Sequence, residues 1–535
     1  MTTSRPRRLV AAALLGAAAA QAQAQAQAQS IVALDAGHIR GVDGAQVDRF
    51  LGIPYAQAPV GALRWRDPLP VPKWDGVRDA ARPGAACYQA QPASFGPYTG
   101  EFVDVPAISE DCLYLNVWRP RGAPGKLPVY VYIHGGAFNS GAGNVPVYDG
   151  AALAARGMVV VTINYRLGVF GFLAHPDLTH ESAAAGARRS SGNYGLLDQV
   201  AALRWVRANI AAFGGDPDGV VIGGQSAGAV SVNHLLMTPL ARGLFRAAVA
   251  ESGAGIGIEA LPLAAAERLG QDIGRQGGAA SLAQLRAMPA AALAKAAARA
   301  PPRPASRFAI VELPLSPNVD GAVLPADASD PTQPVASPVP LLTGFNSDEY
   351  GLFGAPSNRA EFIKLVNERY GDFAAQFLAL YPHATDAEAR ASTALIGRDR
   401  SLASLVLWAE RRTESSGQEV FTYLFDHPYP TTPDGKTHGA FHTAEVPYVM
   451  GVLDAPGRSF DARDHAVSEA MQAHWTAFIR TGNPAIASQA WAPAGDQPVV
   501  MGLGDTLGPR AAVSTPQRMA AFRAFAAKGG KLSLF

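Results

Sequence analysis

The eleven residues Val220–Val230, VVIGGQSAGAV, constrain the fold of this chain more than any other stretch. An apolar run suited to a buried strand is followed by Gly-Gly-Gln-Ser and then by a helical pattern, so a sharp strand-to-helix turn is predicted at Ser226. In such a turn the residues two before and two after the serine pass close to neighbouring backbone, which accounts for Gly224 and Gly228. A Gly-x-Ser-x-Gly match is weak alone, so the surrounding sequence must decide whether Ser226 is a nucleophile.

The rest of the chain alternates short β-rich runs with amphipathic helical patterns. This alternation predicts an α/β fold with a large, mostly parallel central sheet covered by helices. Several runs are continuously apolar, as expected of strands buried on both faces. A stretch rich in Ala and Pro, with PPRPAS at 301–306, marks a loop or an insertion boundary. The predicted strands are 115–118, 129–133, 158–164, 220–223, 247–251, 340–344 and 419–425, and the predicted helices are 149–156, 195–210, 227–237 and 465–481.

Length and charge narrow the class of partner. At 535 residues and 48% hydrophobic, the chain can bury a large core. Its 45 Lys and Arg balance 44 Asp and Glu, and no block of like charges is long enough to bind a phosphate backbone or an anionic membrane surface. We therefore expect a small-molecule partner, no nucleic acid and no membrane anchor, and either a monomer or a weak homodimer.

The first 29 residues have the order of an export signal: a basic start at Arg5, Arg7 and Arg8, a short apolar run, and repeated Ala-x-Ala sites. The apolar run is too short to span a bilayer. We expect residues 1–29 to be a signal peptide, residues 30–535 to be a single domain with insertions, and the mature protein to be periplasmic or secreted.

The chain contains two cysteines, Cys87 and Cys112. In an exported protein such a pair is interpreted as a disulfide, here closing a loop of about 25 residues, although two buried free thiols would also fit. Two cysteines are too few for a zinc site made of thiolates.

A serine hydroxyl becomes a good nucleophile only when a base removes its proton, so a histidine and a carboxylate are needed later in the chain. The segment HGAFHTAEVPYVMG, residues 438–451, offers His438 and His442, and spacing alone does not choose between them. Asp348 and Glu349 follow the predicted strand 340–344, at the end where open α/β sheets place working residues. Either carboxylate could reach an imidazole.

A second feature needed for acyl transfer is a set of free backbone N–H groups. The sequence HGGAF at His134–Phe138 directly follows the predicted strand 129–133. Two glycines leave the neighbouring N–H groups open to a substrate oxygen. A plain tight turn would explain the same two glycines.

These motifs, in this order, resemble the type-B carboxylesterase family, the carboxylesterase/cholinesterase branch of the α/β-hydrolases, and bacterial para-nitrobenzyl-esterase-type members most of all. The resemblance implies an α/β-hydrolase fold whose helical insertions form a substrate gorge. It also implies hydrolysis of carboxylic esters without a metal or an organic cofactor. Besides 134–138 and 438–451, the residues that carry it are FLGIPYAQAPVGALRW (50–65), EDCLYLNVW (110–118), NYRLGVFGFL (164–173), GNYGLLDQVAALRWV (192–206), NIAAFGGDPDGVVIGGQSAGA (209–229), GFNSDE (344–349) and WTAFIRTGNP (475–484).

The resemblance implies a role for each triad residue: Ser226 as nucleophile, Glu349 as acid and His442 as base. Their order along the chain is the one found in α/β-hydrolases. Ser252, in the ESGA segment, matches a buried serine of the family that supports the acid.

The resemblance further implies that the oxyanion donors are the N–H groups of Gly136, Ala137 and Ala227, and that Cys87 pairs with Cys112.

Two positions depart from parts of the family. Gln225 precedes the nucleophile where members acting on choline esters usually carry Glu, so specific cholinesterase activity is not expected. Ala137 replaces a Gly of other members but still supplies its N–H.

The residues present disfavour two other classes of protein. A non-catalytic binding protein of the same fold is disfavoured because all three triad positions are filled. A metallohydrolase using His438, His442 and Glu445 is disfavoured because HExxH is absent and a turn-rich loop precedes the first histidine. Hydrolysis of thioesters, lactones or amides by the same mechanism is not separated from ester hydrolysis by the sequence.

Overall fold

The structure is a computed structural model that describes residues 30–122, 125–186, 188–253, 260–299, 313, 315–349, 358–495 and 497–532. The predicted signal peptide and the PPRPAS segment lie outside the described residues.

Strands in the described residues form one large sheet and three small ones. Each of the seven predicted strands is present, with bounds shifted by a few residues at one or both ends in most cases. The strands are β1 (Ile31–Leu34), β2 (Gly37–Arg40), β3 (Val47–Pro54), β4 (Val77–Asp79), β5 (Ala86–Cys87), β6 (Ile108–Ser109), β7 (Tyr114–Pro120), β8 (Leu127–Ile133), β9 (Val159–Ile163), β10 (Gly215–Gln225), β11 (Ala247–Glu251), β12 (Leu261–Pro262), β13 (Asn318–Val319), β14 (Leu341–Asn346), β15 (Val420–Phe425), β16 (Val499–Leu503) and β17 (Gly508–Ala511).

The large sheet has ten strands in the order β17-β16-β15-β14-β11-β10-β8-β9-β7-β3. Its centre, from β9 to β16, is parallel, and the pairs at both edges are antiparallel. The carboxyl ends of β8, β10, β11 and β14 are therefore neighbours at one edge of the sheet, which is where an open α/β sheet binds its ligand.

Both faces of the central strands are covered, as the continuously apolar runs predicted. Along β8, Val129, Val131 and Ile133 join a cluster on one face, while Tyr130 and Tyr132 join a cluster on the other. This alternation follows from the two-residue period of a strand. All five side chains are fully buried. The centre of the sheet is thus a rigid support for the loops that leave it.

Helices pack on both sides of the sheet and beyond its edges. The four predicted helices are present; the long helix from 386 to 416, entered through a capping box at Thr385 and Glu388, was not predicted. The helices are α1 (Gly100–Val103), α2 (Ala151–Ala155), α3 (Gly168–Phe172), α4 (Pro176–Ala184), α5 (Tyr194–Asn209), α6 (Ala227–Met237), α7 (Leu263–Gln276), α8 (Leu282–Ala287), α9 (Ala290–Ala298), α10 (Arg359–Tyr370), α11 (Ala374–Leu380), α12 (Asp386–Ser416), α13 (Val446–Met450), α14 (Ala462–Thr481) and α15 (Pro516–Ala527).

Cys87 and Cys112 form a disulfide, so the predicted pairing is confirmed. The two cysteines are 25 residues apart in sequence, and the loop that they close includes α1. Within the described ranges, no helix combines the length and the apolarity that crossing a membrane requires.

Candidate active site

Ser226 occupies a sharp turn between a strand and a helix. Strand β10 ends at Gln225 and helix α6 begins at Ala227, which leaves Ser226 alone between them with φ 58° and ψ −124°. A non-glycine residue at positive φ is strained, and such strain is found where function requires it. Its N–H donates to the carbonyl oxygen of Glu251 on β11 at 2.9 Å, which holds the turn at the edge of the sheet.

The two glycines that flank the serine are required sterically, as predicted. A Cβ added to Gly224 would lie 2.6 Å from the carbonyl oxygen of Ile133, and one added to Gly228 would lie 2.0 Å from the same atom. Any larger residue at either position would push α6 away from the end of β8. The Gly-x-Ser-x-Gly pattern here is therefore a packing requirement of the turn.

The HGGAF loop lies directly beside Ser226. A Cβ added to Gly135 would lie 2.8 Å from the carbonyl oxygen of Gln225 and 3.1 Å from the Cβ of Ser226, so a larger residue would not fit between the loop and the serine turn. Gly136 has φ 106° and Ala137 has φ 55°, a run of left-handed backbone that turns the chain sharply after β8. The carbonyl of Gly136 accepts from the N–H groups of Asn139 and Ser140, both at 2.9 Å.

The N–H groups of this loop remain available to a ligand. Among the hydrogen bonds of the described residues, neither the N–H of Gly136 nor that of Ala137 donates to a protein acceptor. Ala227 is the first residue of α6, and N–H groups in the first helical turn lack an intrahelical partner. The three groups that the resemblance implied as oxyanion donors thus belong to the residue after Ser226 and to the loop whose Gly135 approaches it.

Glu349 is a buried carboxylate three residues past the end of β14. Its exposed fraction is 1%, and its Oε1 accepts from the hydroxyl of Ser252 at 2.5 Å and from the N–H of Asn346 at 2.8 Å. Its other oxygen, Oε2, lies 3.2 Å from Nδ1 of His442. Two donors therefore orient the carboxylate so that its free oxygen faces the imidazole.

The imidazole of His442 is held between this carboxylate and the residue before the serine. Nδ1 faces Glu349, and Nε2 lies 3.3 Å from Nε2 of Gln225. Burial lowers the pKa of His442, but the charge of Glu349 and its hydrogen bond raise it, and the net pKa is above the usual value. The carboxylate thus stabilises the imidazolium that forms when the ring takes up a proton.

The other two candidates that the residue pattern offered, Asp348 and His438, have different surroundings. Asp348 turns away from the imidazole: its Oδ2 accepts from the N–H of Ala440 at 2.9 Å, and its own N–H donates to the carbonyl of Ala440 at 3.0 Å. It supports the loop that carries His442. His438 is half-buried, and its Nε2 has no partner among the described residues.

Glu445 is a second buried carboxylate beside Glu349. The sequence did not indicate that it lies next to the acid. Its Oε1 lies 3.4 Å from the hydroxyl of Ser252, and its Oε2 accepts from the side-chain amide of Asn346. Burial raises the pKa of Glu445 to about 7, although the hydrogen bond from Asn346 lowers it. The available signal was its position three residues after His442, which places both on the same loop.

Glu251, the last residue of β11, is a third buried carboxyl in this region. Burial raises its pKa well above the usual value, and the charge of Glu445 raises it further. Its Oε1 accepts from the indole N–H of Trp475 at 2.9 Å. The described residues contain no group of three His, Cys, Asp or Glu side chains placed to hold a metal ion.

A mostly parallel sheet with a strained serine after a central strand, an acid after a later strand and a histidine further on defines the class of α/β-hydrolases. A profile of the "Carboxylesterase family" matches residues 28–508. This chain belongs to the carboxylesterase family and is an enzyme that hydrolyses carboxylic esters as a serine hydrolase, so the resemblance seen in the motifs is confirmed.

Two curated relatives carry names that describe their activity. "Para-nitrobenzyl esterase" of Bacillus subtilis (strain 168) is 38% identical over 476 residues, which cover 86% of this chain and 92% of the relative. "Fumonisin B1 esterase" of Sphingopyxis macrogoltabida is 36% identical over 462 residues, which cover 84% of this chain and 81% of the relative.

Solved structures of PNB esterases share the fold. One superposes with a TM-score of 0.74 at 33% identity, covering 92% of this chain and 99% of the other. A structure described as a thermophilic PNB esterase superposes with a TM-score of 0.76 at 33% identity, with the same coverage of both chains.

Proposed function

We propose that the chain hydrolyses neutral carboxylic esters through an acyl-enzyme formed on Ser226. His442 takes the hydroxyl proton as the serine oxygen attacks the ester carbonyl, and Glu349 stabilises the resulting imidazolium. The imidazolium then protonates the leaving alcohol as the tetrahedral intermediate collapses. Water, deprotonated by the same imidazole, attacks the acyl-enzyme and releases the acid.

The observation that carries this proposal is the 3.2 Å approach of His442 Nδ1 to Glu349 Oε2. Because Nδ1 is bonded to the carboxylate, the opposite nitrogen, Nε2, is the one left for proton transfer. Nε2 lies 3.3 Å from the side chain of Gln225, the immediate neighbour of the serine. This orientation supports Nε2 as the atom that exchanges a proton with Ser226.

The oxyanion donors in this proposal are the N–H groups of Gly136, Ala137 and Ala227. Support comes from the close approach of the loop to the serine turn at Gly135, where an added Cβ would not fit, and from the N–H groups of Gly136 and Ala137, which donate to no protein acceptor among the described residues. Donors that are already in place need no reorganisation when charge develops on the substrate oxygen. Losing one donor of this kind typically costs about 3 to 4 kcal/mol in the barrier.

A neutral substrate is favoured by the residue before the nucleophile. Gln225 is 1% exposed and carries no charge, so it offers a cationic alcohol group less attraction than a glutamate would. The relatives are named for a para-nitrobenzyl ester and for fumonisin B1, and neither name describes a choline ester. A p-nitrobenzyl ester of a short neutral acid is therefore the first probe.

We also propose that residues 1–29 are a signal peptide, that residues 30–535 form one catalytic domain, and that the mature enzyme is periplasmic or secreted. The Cys87–Cys112 disulfide supports the location, because disulfides form and persist in oxidising compartments. Mass spectrometry of the protein recovered from its native host would show the mature N-terminus. Recovery of the full chain with Met1 in place would contradict this part.

The catalytic assignment is tested with a panel of p-nitrobenzyl, p-nitrophenyl and choline esters that vary in acyl size. Ser226→Ala is expected to abolish turnover and to prevent labelling by a fluorophosphonate, whereas Ser488→Ala, at an exposed serine, is expected to behave as the parent enzyme. Peptide mapping should locate the phosphonate adduct on Ser226. Full activity of Ser226→Ala, or an adduct on another residue, would disprove the proposal.

A further inference from the structure

The disulfide-closed loop, residues 87–112, packs against the loop that carries His442. Tyr98 of the disulfide-closed loop contacts His442 and its neighbour Phe441. Its hydroxyl donates a 2.6 Å hydrogen bond to the backbone carbonyl of His442, across 344 residues of sequence. Its ring packs edge-on against Phe441 at 5.4 Å, so the contact involves both the hydroxyl and the ring.

The peptide that Tyr98 contacts is strained. The carbonyl of His442 belongs to the peptide bond that leads into Thr443, and Thr443 has φ 88°. For a β-branched residue this is a costly backbone conformation that persists only when surrounding contacts enforce it. The hydrogen bond from Tyr98 is such a contact, because it fixes the orientation of that peptide.

Arg458 binds the residues immediately before and after Tyr98. Its Nη2 donates to the carbonyl of Pro97 at 2.6 Å and to the hydroxyl of Thr99 at 2.9 Å. Its Nε forms an ion pair with Glu101, and the two side chains are 1% and 3% exposed. A buried ion pair of this kind fixes the turn in which Tyr98 sits.

Arg458 also binds the segment that leads to His442. Its Nη1 donates to the carbonyl of Pro430 at 2.6 Å, and its guanidinium stacks on the ring of Tyr429 at 4.6 Å. One side chain thus joins the disulfide-closed loop to the histidine loop, next to the point where Tyr98 meets His442. The two loops are fixed relative to each other by side chains and not only by the sheet.

We propose that Tyr98 is a positioning residue for the base of the triad, that its hydroxyl holds the strained His442–Thr443 peptide, and that Arg458 keeps Tyr98 in place. The inference rests on the proposed function of His442. It makes the disulfide-closed loop part of the catalytic apparatus, although none of its residues touches the reacting atoms in this scheme.

Tyr98→Phe is the direct test because it removes the hydroxyl and keeps the ring. The matched control is Tyr429→Phe: Tyr429 packs against the same Phe441 ring, and its buried hydroxyl has no partner among the described residues. We expect kcat of Tyr98→Phe to fall about tenfold, since small misplacements of a catalytic group are costly. Tyr429→Phe should remain within about twofold of the parent enzyme.

A pH profile separates positioning from a general loss of structure. The charged groups that face the imidazole are Glu349 and Glu445, and both raise the pKa of His442. A loosened His442 loses part of this stabilisation of the imidazolium, so its pKa falls. The acid limb of kcat/KM in Tyr98→Phe should therefore move to lower pH. Partial unfolding would instead reduce the number of active sites and leave the limb where it was.

The strained peptide is tested by a double-variant cycle with Thr443→Gly. Glycine adopts positive φ without strain, so a chain with Gly at 443 has less need of the hydrogen bond from Tyr98. The side chain of Thr443 also hydrogen-bonds with the Tyr98 hydroxyl, so Thr443→Ala, which loses that contact but keeps a Cβ at positive φ, is the control. Tyr98→Phe should cost less in the Thr443→Gly background than in the parent or in the Thr443→Ala background. Equal costs in the Thr443→Gly and Thr443→Ala backgrounds would overturn the role assigned to the strained peptide.

All rates are normalised to active sites titrated with a fluorophosphonate. If Ser226→Ala retains activity, the proposed function has failed, whatever Tyr98→Phe does. If Ser226→Ala is inactive while Tyr98→Phe matches Tyr429→Phe in kcat and in pH profile, the function stands and the positioning role is overturned.

Discussion

The hydroxyl of Ser252 donates a 2.5 Å hydrogen bond to Oε1 of Glu349. Ser252 directly follows β11 and has φ 54°, a strained conformation that points its short side chain toward the acid. Because Oε1 is bound on this side, Oε2 is the oxygen left to face His442. Together with the N–H of Asn346, which binds the same oxygen, Ser252 therefore determines which carboxylate oxygen meets the imidazole.

Replacing Ser252 with Ala should lower kcat/KM about tenfold, because a hydrogen bond to a charged group contributes about 1.5 to 3 kcal/mol. Alanine keeps the Cβ, so the backbone strain at this position is unchanged. Initial rates on a p-nitrobenzyl ester, normalised to titrated active sites, measure the effect. Ser488→Ala again serves as the exposed control, and a Ser252→Ala enzyme with unaltered kcat/KM would contradict this role.

Glu445→Gln should shift the pH dependence of both activity and stability. Ionised Glu445 raises the pKa of His442, so its neutral replacement should move the acid limb of kcat/KM to lower pH. Burial raises the pKa of Glu445 itself from 4.5 to about 7. The native chain therefore holds a proton that the unfolded chain releases between these pH values.

The contribution of this proton to stability is fully present below pH 4.5 and is lost as the pH rises through about 7. A glutamine does not titrate, so the variant does not lose stability in this way as the pH rises. The free energy of unfolding of Glu445→Gln, relative to the parent, should thus rise from pH 4.5 to pH 7 and then level off. Denaturant titrations across this range test it, and a difference that is constant with pH would show that Glu445 does not titrate there.

Gly136→Ala should lower kcat by at least about 100-fold, the typical effect of losing an oxyanion donor. Gly136 has φ 106°, and an added Cβ would lie 2.1 Å from the carbonyl oxygen of Ser140, so the loop must move. Gly76→Ala is the matched control, because Gly76 also has positive φ, 74°, but meets no atom within 4 Å. If both variants keep normal kcat, the HGGAF loop is not the oxyanion site.

The turn at Ser226 could be predicted from sequence because its requirements are local. The strand, the two glycines and the helix are contiguous, and Gly224 and Gly228 face backbone atoms that any such turn would bring near. The α/β class was predictable for a similar reason, since continuously apolar strands such as β8 need cover on both faces.

The choice between Asp348 and Glu349 could not be made from the residue pattern. Both follow β14, and what separates them is the direction in which the backbone after Asn346 presents each side chain. Asp348 meets the backbone of Ala440, while Glu349 points inward to Ser252. Family resemblance selected Glu349, and residue spacing did not.

Contacts between distant segments were also beyond sequence reasoning. Tyr98 and His442 meet across 344 residues, and Arg458 and Glu101 across 357. The sequence around one member of a pair does not indicate its partner, because both pairs depend on how two loops pack at one edge of the sheet. The long helix α12 was different: Thr385 and Glu388 form a capping box whose spacing is visible in the sequence.

Asp198→Asn should destabilise the fold by about 3 to 5 kcal/mol, the usual cost of leaving one partner of a buried ion pair unpaired. Arg166 donates from Nε and Nη2 to the two carboxylate oxygens of Asp198 at 2.8 and 2.7 Å, and the side chains are 2% and 0% exposed. Gly168, two residues after Arg166, donates its N–H to the carbonyl of Phe138 in the HGGAF loop. We therefore expect Asp198→Asn to lower kcat as well as the free energy of unfolding.

Asp218→Asn is the comparison for this prediction, because Asp218 pairs with Arg207 and the two side chains are 75% and 46% exposed. Exposed pairs contribute about 0 to 1 kcal/mol, since water screens the charges. Denaturant unfolding of both variants at low and at high salt measures the difference. The loss in Asp198→Asn should change little with salt because ions do not reach the buried site. A loss as small as that of Asp218→Asn would mean that Arg166 finds other partners and that the pair does not support the HGGAF loop.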